Sequence, residues 1–356
     1  MDPGKRILCI CPIGIGNFLL LTPALRRLKG ARPSARVAVL CLKPAIARLA
    51  ERYPYIDEVI SVDAGQSHSL ADRAAFILSI FRKFDSSIAF FPSNRAEYNL
   101  LPFLAGIRER AGFRYEAYRV RTLSFLNTRL VAVDNSAHDL IQNFTLLKEI
   151  GVTMPEQPAL DPLPLKEEEK AFADRYLKDH PVREFLIGLH PGSSGEHGMD
   201  KKRWPARHFA ELARLIGKGK KARFLVFGGP EEALLKAETT RGAGPQAIAA
   251  ETKSLFETAA LIGKCHRFIS NDSGLMHIAA SLGVRCAGIF GPTSDVRTAP
   301  WGPGHLVIRG QGCPVEPCWT IRNVGKREHC RYGDFRCLEE LKPETVYSRL
   351  EKWLSS

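Results

Sequence analysis

Short apolar runs alternate along this chain with longer stretches in which apolar residues recur every three or four positions. The first run, from Arg6 to Cys11, precedes a stretch of the second kind from Phe18 through Leu28, and the alternation continues through both halves of the chain. The short runs predict buried strands, and the longer stretches predict amphipathic helices. Because a strand, a helix and a further strand are the repeating unit of a parallel sheet, the pattern predicts an α/β fold with crossover helices.

The predicted elements form two series. Further strands in the first half are expected at Arg36 to Cys41, Glu58 to Val62 and Ser87 to Phe91, with helices at Pro44 to Arg52 and Ala71 to Phe84. Helices in the second half are expected at Lys166 to Lys178, Ala206 to Ile216 and Pro343 to Leu354. The strands expected there are Phe185 to His190, Ala222 to Phe227, Arg267 to Ser270, Arg285 to Phe290 and His305 to Arg309.

Prolines recur between the two series, from Pro155 to Pro164. Proline interrupts both helices and sheet hydrogen bonding, so this density predicts a linker. We therefore expect one domain over residues 1–160 and a second over 161–340, with a last helix at 341–356 that packs back on the first domain. Each half opens with a strand that runs into a glycine-bearing loop, so we expect two similar domains whose parallel sheets face a central cleft.

The amino-acid composition and the net charge limit the cellular location and the kinds of binding partner that we expect. Of the 356 residues, 45% are hydrophobic and 25% are charged, and the first ten, MDPGKRILCI, lack the long apolar region of a signal peptide. We therefore expect a cytoplasmic protein. The net charge of +13 favours anionic partners, but the basic residues are spread along the chain without a basic tail or a nucleic-acid motif. The charge thus predicts contact with an anionic membrane surface and a phosphorylated substrate rather than with DNA or RNA.

The nine cysteines fall into two groups. Those in or beside apolar runs are predicted to be small core residues: Cys9, Cys11, Cys41, Cys265 and Cys286. The others crowd a polar segment near the C-terminus: Cys313, Cys318, Cys330 and Cys337. Their irregular spacing lacks paired CxxC knuckles, so we expect plain thiols there, with a metal site or redox staple as the alternative. Stable disulfides are not expected in the cytosol.

The segment from Ile269 to Pro303 contains the strongest local signal of a ligand site. Asn271-Asp272-Ser273-Gly274 leads into an apolar helix, whose unpaired N–H groups and dipole attract an anion. The next strand ends in Gly291-Pro292-Thr293, a second turn whose backbone can approach a ligand closely. Two such loops on adjacent parallel strands predict a nucleotide crevice that holds phosphate. The alternative is that Asp272 and Ser273 only cap the helix.

Four motifs resemble, in order, those of glycosyltransferase family 9, the ADP-heptose:lipopolysaccharide heptosyltransferases: GIGNFLLLTPALRRLK, IGLHPGSSGEHGMDKKRWP, FLVFGGPEE and ISNDSGLMHIAASLGVRCAGIFGPT. The resemblance covers essentially the whole chain, including the region from Cys313 to Cys318. It implies the GT-B fold, in which two Rossmann-like domains enclose the active site, the first binding the acceptor and the second the nucleotide sugar. It also implies inverting transfer of a sugar, heptose from ADP-heptose, to a lipopolysaccharide core or related glycan by a protein peripheral to the inner membrane.

The resemblance places the donor site in the second half. Lys202 matches the family lysine that neutralises the donor diphosphate, with Lys201 as a neighbour able to replace it, and either Glu231 or Glu232 matches the acid that holds the ribose hydroxyls. The other residues expected in the donor site are Gly16, Ser193, Ser194, Asp272, Ser273, Gly274, His277, Gly291, Pro292 and Thr293. A cation beside the leaving diphosphate stabilises charge that grows in the transition state. Nothing resembles a DxD metal motif, so we expect no metal ion and no cofactor.

The acceptor side departs from the family pattern at Asn17, where relatives commonly carry an aspartate that serves as the general base. An amide cannot accept a proton at neutral pH, so Asn17 can orient an acceptor but cannot act as that base. His138 is a substitute candidate for the catalytic base, and Asp139 beside it is expected to cap a helix. The residues expected to bind the acceptor are Ser93, Asn94, Arg95, Arg108, Arg110 and Arg114.

Two other functions stay open. Sugar-nucleotide epimerases also have two Rossmann-like domains, and an epimerase would turn over the donor without an acceptor. Because Asn17 replaces the family aspartate, the chain could instead be a catalytically weak protein that binds a sugar nucleotide and acts through partners. The motifs do not specify the nucleobase, the sugar or the oligomeric state.

Overall fold

The structure is a computed structural model and describes residues 4–11, 14–62, 69–90, 96–115, 120–180, 185–310, 313–314, 317–319, 330 and 332–355. The chain divides into two compact units, Met1–Asp161 and Pro162–Ser356. The division falls within the proline-rich segment, one residue beyond the boundary predicted at residue 160. The proline density therefore marks the junction between two separately packed parts of the chain.

The described part of the first unit contains the strands β1 (Arg6–Ile10), β2 (Arg36–Cys41), β3 (Glu58–Ser61), β4 (Ser86–Ala89), β5 (Glu109–Arg114) and β6 (Arg129–Ala132). Its helices are α1 (Ile15–Ala31), α2 (Pro44–Ala50), α3 (Leu70–Ile80), α4 (Glu97–Leu104) and α5 (Asp139–Lys148). The strands are parallel and lie in the order β3-β2-β1-β4-β5-β6. The order reverses between β1 and β4, and Rossmann-like sheets bind ligands at the carboxyl ends of the strands at such a reversal.

The described part of the second unit contains the strands β7 (Phe185–His190), β8 (Ala222–Val226), β9 (Ala247–Ala249), β10 (Arg267–Asn271), β11 (Arg285–Phe290) and β12 (Leu306–Arg309). Its helices are α6 (Glu167–Asp179), α7 (Ala206–Gly219), α8 (Ala233–Ala243), α9 (Leu255–Ile262), α10 (Gly274–Ser281), α11 (Asp295–Thr298), α12 (Arg336–Glu339) and α13 (Pro343–Ser355). The sheet is parallel, in the order β12-β11-β10-β7-β8-β9, and its reversal lies between β10 and β7. Over the described ranges of both units, no helix is long and apolar enough to cross a membrane.

Every strand predicted from the sequence is present, with ends within two residues of the prediction. Three further strands, β5, β6 and β9, were not predicted from the sequence. β5 reads ERAGFR and contains no apolar run, and β9 has only three residues. Such segments become strands because a neighbouring strand offers its backbone groups for pairing, which overrides a weak local preference.

Helix α1 continues through a proline. Pro23 has no N–H to donate to the carbonyl of Leu19, and the hydroxyl of Thr22 donates to that carbonyl instead, at 2.9 Å. Phe18 and Leu25 of this helix are fully buried. The packing therefore holds the N-terminus of α1 at the carboxyl end of β1, where two of the predicted site residues lie.

The last helix, α13, belongs to the second unit. It packs against α7 and β12, and Val346 and Leu350 lie in the core of that unit. Trp353 donates its indole N–H to the carbonyl of Gly304 at 2.7 Å. The apolar face of α13 therefore completes the core of the second unit beside α7, and the packing of residues 341–356 on the first domain stays a prediction.

Candidate functional site

The carboxyl edge of the second sheet gathers most of the predicted donor residues. The strands β7, β10 and β11 are neighbours and end at His190, Asn271 and Phe290. The pair β7 and β10 marks the reversal of strand order, where open α/β sheets bind ligands. The loops after these three strands carry Ser193, Ser194, Lys201, Lys202, Asp272, Ser273, Gly291, Pro292 and Thr293.

A buried ion pair joins two of these loops. The ammonium of Lys202 lies 2.8 Å from the carboxylate of Asp272, and the two side chains are only 8% and 9% exposed. Burial alone raises the pKa of Asp272, but the charge and hydrogen bond of Lys202, aided by His277, lower it by more, so the pKa lies below its usual value. The ionised carboxylate therefore fixes the Lys202 ammonium beside the start of α10.

The structure separates the two adjacent lysines. Lys201 is exposed, and its ammonium lies 3.5 Å from Asp200. Lys202 ends the 3₁₀ segment Glu196–Lys202 and turns inwards. Lys201 therefore does not occupy a position from which it could replace Lys202.

Neither Asp272 nor Ser273 caps α10. Ser273 is the N-cap residue but makes no capping hydrogen bond. Its hydroxyl lies 2.9 Å from Nδ1 of His190 and 2.9 Å from Oγ of Ser270. The capping alternative is therefore wrong for these two residues. Their side chains leave the first-turn N–H groups of α10, from Gly274 onwards, for an anion at the positive end of the helix.

Asn271 ties together both ends of the loop after β7. Its side chain is fully buried, Nδ2 donates to the carbonyl of Pro191 at 2.8 Å, and Oδ1 accepts from the N–H of Trp204 at 2.8 Å. The loop closed in this way comprises residues 191–204. It contains Lys202 and places the Lys202 ammonium within hydrogen-bond distance of Asp272. This role of Asn271 was not predicted from the sequence. The role could have been inferred from the position of Asn271 at the end of a predicted buried strand, because a buried amide requires hydrogen-bond partners.

Only one of the two candidate ribose acids belongs to the buried network. The Glu232 carboxylate accepts from Nε2 of His190 at 3.1 Å and from the N–H of Gly229 at 2.9 Å. Burial raises its pKa, but the hydrogen bonds and the charge of His190 lower it by more, so the pKa lies below its usual value. Glu231 is exposed. The structure thus distinguishes two acids that the sequence left equivalent.

Ser193 builds the loop in which it lies. Its hydroxyl donates to the carbonyl of Met199 at 2.9 Å and accepts from Nε of Arg203 at 3.2 Å. Arg203 also donates to the Ser193 carbonyl. Ser193 is buried and Ser194 is exposed. The proton of the Ser193 hydroxyl is thus used inside the loop, and Ser194 is the more exposed of the two serines.

Arg309, at the end of β12, holds the second predicted turn. Its guanidinium donates to the carbonyls of Gly291 and Thr293, both at 2.8 Å, and to Asp295 at 2.7 Å. The turn after β11 is therefore fixed by a residue from the next strand. The sequence analysis missed Arg309 because nothing near it in the chain indicates which carbonyls it would meet.

The first unit places Gly16 and Asn17 in the first turn of α1. Gly16 is buried and Asn17 is half-buried, at the carboxyl edge of β1. This edge adjoins the reversal between β1 and β4, which is where a Rossmann-like sheet binds a ligand. The position of Asn17 is therefore consistent with a side chain that orients a substrate.

His138, and not Asp139, caps helix α5. His138 is the N-cap of α5, and its Nδ1 accepts from the N–H of Leu140 at 3.2 Å. Because that lone pair is used, the neutral ring carries its proton on Nε2 and has no free nitrogen to act as a base. Asp139 is fully buried and accepts from Gln142 at 3.0 Å instead of capping. Both expectations are corrected by the geometry of this helix start.

The three arginines expected at the acceptor are not neighbours. Arg108 and Arg110 lie at the amino end of β5 and Arg114 at its carboxyl end, so roughly 13 Å of strand separate the last two. Arg110 donates to the carbonyl of Leu126 at 2.7 Å. Only Arg114 reaches the ligand-binding edge, and the acceptor prediction is wrong for the other two. The remaining acceptor candidates lie outside the described residues: Ser93, Asn94 and Arg95.

The cysteines in apolar runs are buried, as predicted: Cys9, Cys11, Cys41, Cys265 and Cys286. In the C-terminal group, Cys337 is buried and the other three are partly exposed: Cys313, Cys318 and Cys330. All nine cysteines are thiols. Over the described ranges, no three His, Cys, Asp or Glu side chains are placed to hold a metal ion.

Comparison with known proteins gives consistent results. A sequence model of glycosyltransferase family 9 (heptosyltransferase) matches residues 89–326. Lipopolysaccharide heptosyltransferase 2 of Escherichia coli (strain K12) is 31% identical over 320 residues, covering 85% of this chain and 88% of that protein. The solved E. coli ADP-heptose lps heptosyltransferase II has a TM-score of 0.72 at 24% identity, covering 98% of both chains. A family 9 glycosyl transferase from Veillonella parvula has a TM-score of 0.81 at 22% identity, covering 100% of this chain and 98% of its own.

These likenesses confirm the predicted fold class, two Rossmann-like domains with parallel sheets as in GT-B glycosyltransferases. The matched region includes the loops that follow β7, β8, β9, β10 and β11 at the carboxyl edge of the second sheet. The epimerase alternative is not favoured, because the family match and the named relatives are heptosyltransferases. The chain belongs to glycosyltransferase family 9 (heptosyltransferase).

Proposed function

We propose that this chain is a lipopolysaccharide heptosyltransferase that transfers heptose from ADP-heptose to a lipopolysaccharide core acceptor. Its family and its relatives of that name support this class of reaction. The observation that carries the proposal is the buried Lys202–Asp272 pair beside the N-terminus of α10. A buried ammonium next to backbone N–H groups at a helix end is suited to the diphosphate of a nucleotide sugar.

The reaction we propose is inverting and independent of metal ions. An acceptor hydroxyl attacks the anomeric carbon in line while the nucleoside diphosphate leaves from the opposite side. Negative charge grows on the leaving diphosphate as the bond breaks, and Lys202 and the positive end of α10 stabilise that charge more in the transition state than in the ground state. These groups supply the positive charge that a divalent ion supplies elsewhere.

The ribose of the donor is proposed to bind at Glu232. The lowered pKa keeps this carboxylate ionised at neutral pH, and an ionised carboxylate accepts hydrogen bonds from sugar hydroxyls. Glu232 follows β8, which pairs with β7, while the diphosphate turn follows β10 on the other side of β7. The two ends of an ADP group would thus be recognised by loops on either side of one strand.

The acceptor is proposed to bind to the first unit, where Asn17 lies in the first turn of α1. The amide of Asn17 can hold an acceptor hydroxyl but cannot take its proton. His138 is engaged as a helix cap, so we assign it no catalytic role. A group other than these two must accept the proton.

A donor screen followed by a transfer assay tests the proposal. We expect calorimetry in EDTA to show binding of ADP-heptose in preference to UDP- and GDP-sugars, and mass spectrometry to show one heptose added to a heptose-deficient lipopolysaccharide. NMR of the product should show the inverted anomer. Asn17→Asp should raise kcat, because a carboxylate at this position can act as a general base, a role that contributes about 10²- to 10⁴-fold in rate.

Three results would contradict parts of this assignment. Absence of nucleotide-sugar binding would mean that only the fold is shared with the family. Binding without transfer to any acceptor would favour a sugar-nucleotide-binding protein. Loss of transfer in EDTA, restored by a divalent ion, would exclude the metal-independent reaction.

We also propose that the protein docks on an anionic membrane through its first unit. Apolar side chains that are each at least 43% exposed lie in or directly after α3 and α4, here called the α3–α4 surface: Leu70, Leu78, Phe81, Phe103 and Leu104. The segments that follow the two helices meet where the Arg82 N–H donates to the carbonyl of Ala105 at 2.9 Å. Exposed basic side chains lie in α3 or shortly after α3 and α4: Arg73, Arg82, Lys83 and Arg108. Exposed apolar residues with cations beside them in the same segments suit an anionic bilayer.

Vesicle sedimentation tests the α3–α4 surface. We expect binding to phosphatidylcholine vesicles that contain phosphatidylglycerol, little binding to phosphatidylcholine alone, and a roughly tenfold or greater loss for Leu78→Asp with Phe103→Asp. Leu234→Asp is the matched control, because Leu234 is 86% exposed on α8 of the second unit. Equal losses in both variants would show that the α3–α4 surface is not the docking site.

A further inference from the structure

His190 connects the two ends of the proposed donor site. The residue is only 3% exposed, and its ring lies between the phosphate turn and the candidate ribose acid. On one side Nδ1 is 2.9 Å from the hydroxyl of Ser273, and on the other Nε2 is 3.1 Å from the carboxylate of Glu232. The diphosphate chemistry described above uses neither nitrogen of this ring.

The partners determine how the ring is protonated. An ionised carboxylate can only accept, so Nε2 must carry a proton and donate it to Glu232. Nδ1 faces the Ser273 hydroxyl, which can accept from a protonated Nδ1 or donate to an unprotonated one, while the Ser270 hydroxyl donates to the carbonyl of Asn271 at 2.7 Å. Contacts with Ser273 and Glu232 therefore fix the orientation of the imidazole ring. The hydrogen bond from its Nε2–H in turn fixes the orientation of the Glu232 carboxylate.

Gly192 leaves the space that Glu232 occupies. A Cβ atom on Gly192 would lie 2.0 Å from Oε1 of Glu232, far inside van der Waals contact. The N–H of Gly229 donates to the same carboxylate, to Oε2 at 2.9 Å. The Glu232 side chain is thus placed by a backbone N–H, a histidine N–H and the absence of a side chain, while 14% of it stays exposed.

We infer that His190 is a positioning residue that holds Glu232 in the orientation that reads the donor ribose, and so sets the preference for a ribonucleotide over a 2′-deoxyribonucleotide. The inference rests on the proposed function, because it requires an ADP group at this edge of the sheet. His190 contacts no reacting atom and acts through Glu232. Removing the Nε2–H lets the carboxylate rotate away from the ribose hydroxyls, whereas the phosphate contacts at Lys202 and α10 stay in place.

The experiment compares ADP with 2′-deoxy-ADP by calorimetry on the full chain. The measured quantity is the ratio of the two dissociation constants, which reports the 2′-hydroxyl alone. We expect the wild-type protein to favour ADP by about tenfold or more, since a hydrogen bond to a charged group is worth about 1.5–3 kcal/mol. Glu232→Gln should bring the ratio close to one, and Gly192→Ala should lower it by displacing the carboxylate.

Two substitutions at position 190 separate positioning from packing. Gln places its amide nitrogen near the position of Nε2 and can still donate to Glu232, whereas Asn places its nitrogen near Nδ1 and cannot reach it. We expect His190→Gln to keep most of the preference for ADP and His190→Asn to lose it. Binding of 2′-deoxy-ADP should change less than twofold in both variants, which also shows that both are folded.

Each contrary outcome has its own meaning. If His190→Asn keeps the wild-type ratio while Glu232→Gln loses it, the positioning role is overturned and the proposed function stands. If Glu232→Gln also keeps the ratio, Glu232 does not read the ribose and the inference fails, although ADP binding still supports the function. If the wild-type protein binds neither nucleotide, both the inference and the proposed function fail.

Discussion

Replacing Lys202 with alanine is expected to lower kcat/KM for heptose transfer by about 10²- to 10³-fold, the loss typical for removing one group that stabilises developing charge. Lys202 is buried against Asp272 at 2.8 Å, beside the start of α10. Its removal takes away the cation that meets the leaving diphosphate. It also leaves a buried carboxylate without its partner, which costs about 3–5 kcal/mol of stability. Steady-state kinetics and thermal unfolding measure the two effects.

Two controls separate catalysis from folding. Lys201→Ala removes an exposed neighbour paired with Asp200, and its rate should stay within about twofold of the wild type, because exposed ion pairs are worth little. The double variant Lys202→Met with Asp272→Asn removes both charges and should recover much of the stability without recovering transfer. If the double variant regained the wild-type rate, the role of Lys202 would be structural, and the proposal that it stabilises developing charge would be wrong.

Asn271→Ala is expected to destabilise the second unit by about 2–5 kcal/mol, because the buried Pro191 carbonyl and Trp204 N–H would each lose a partner. The loop 191–204 would then no longer be closed at both ends. We expect ADP affinity to fall about tenfold or more, since Lys202 would be held less firmly. Thermal unfolding and calorimetry provide the two readouts.

Asn99→Ala is the matched control for this second substitution. Asn99 is also a buried asparagine, with Nδ2 donating to the carbonyl of Thr122 at 2.7 Å and Oδ1 accepting from Asn127 at 2.7 Å, but it lies in the first unit. Its replacement should cost similar stability and leave ADP affinity unchanged. If both variants bound ADP as the wild type does, the loop closed by Asn271 would have no part in donor binding.

Residues whose partners are near in sequence, or whose role follows from a motif, could be predicted from the chain alone. The turn from Asn271 to Gly274 and the helix after it were predicted, because a polar turn between an apolar run and a helix is a local pattern. Lys202 could be distinguished from the other lysines because it lies in a motif that resembles one of the family's. The prediction failed at Arg110, where the choice between ligand and internal carbonyl depends on the end of the strand at which the side chain lies.

Pairs of chemically equivalent neighbours show what local pattern cannot decide. Lys201 and Lys202 differ only in which way a 3₁₀ segment turns them, and Glu231 and Glu232 differ only in which one reaches a histidine from another strand. The exposure of a side chain is set by the elements that pack around it, and these come from distant parts of the chain. Helix α13 is a similar case. Its apolar face indicates that one side of the helix is buried, but not which part of the protein it packs against.

Local periodicity and ordered motifs were enough to predict the alternation of strands and helices, a domain boundary at residue 160 and the resemblance to the family. The contact of Lys202 with Asp272, and those of His190 with Ser273 and Glu232, could be identified in the folded chain but not in its sequence. These partners are separated by tens of residues in the chain. They meet because parallel strands bring their carboxyl ends to one edge of the sheet, which no local pattern encodes.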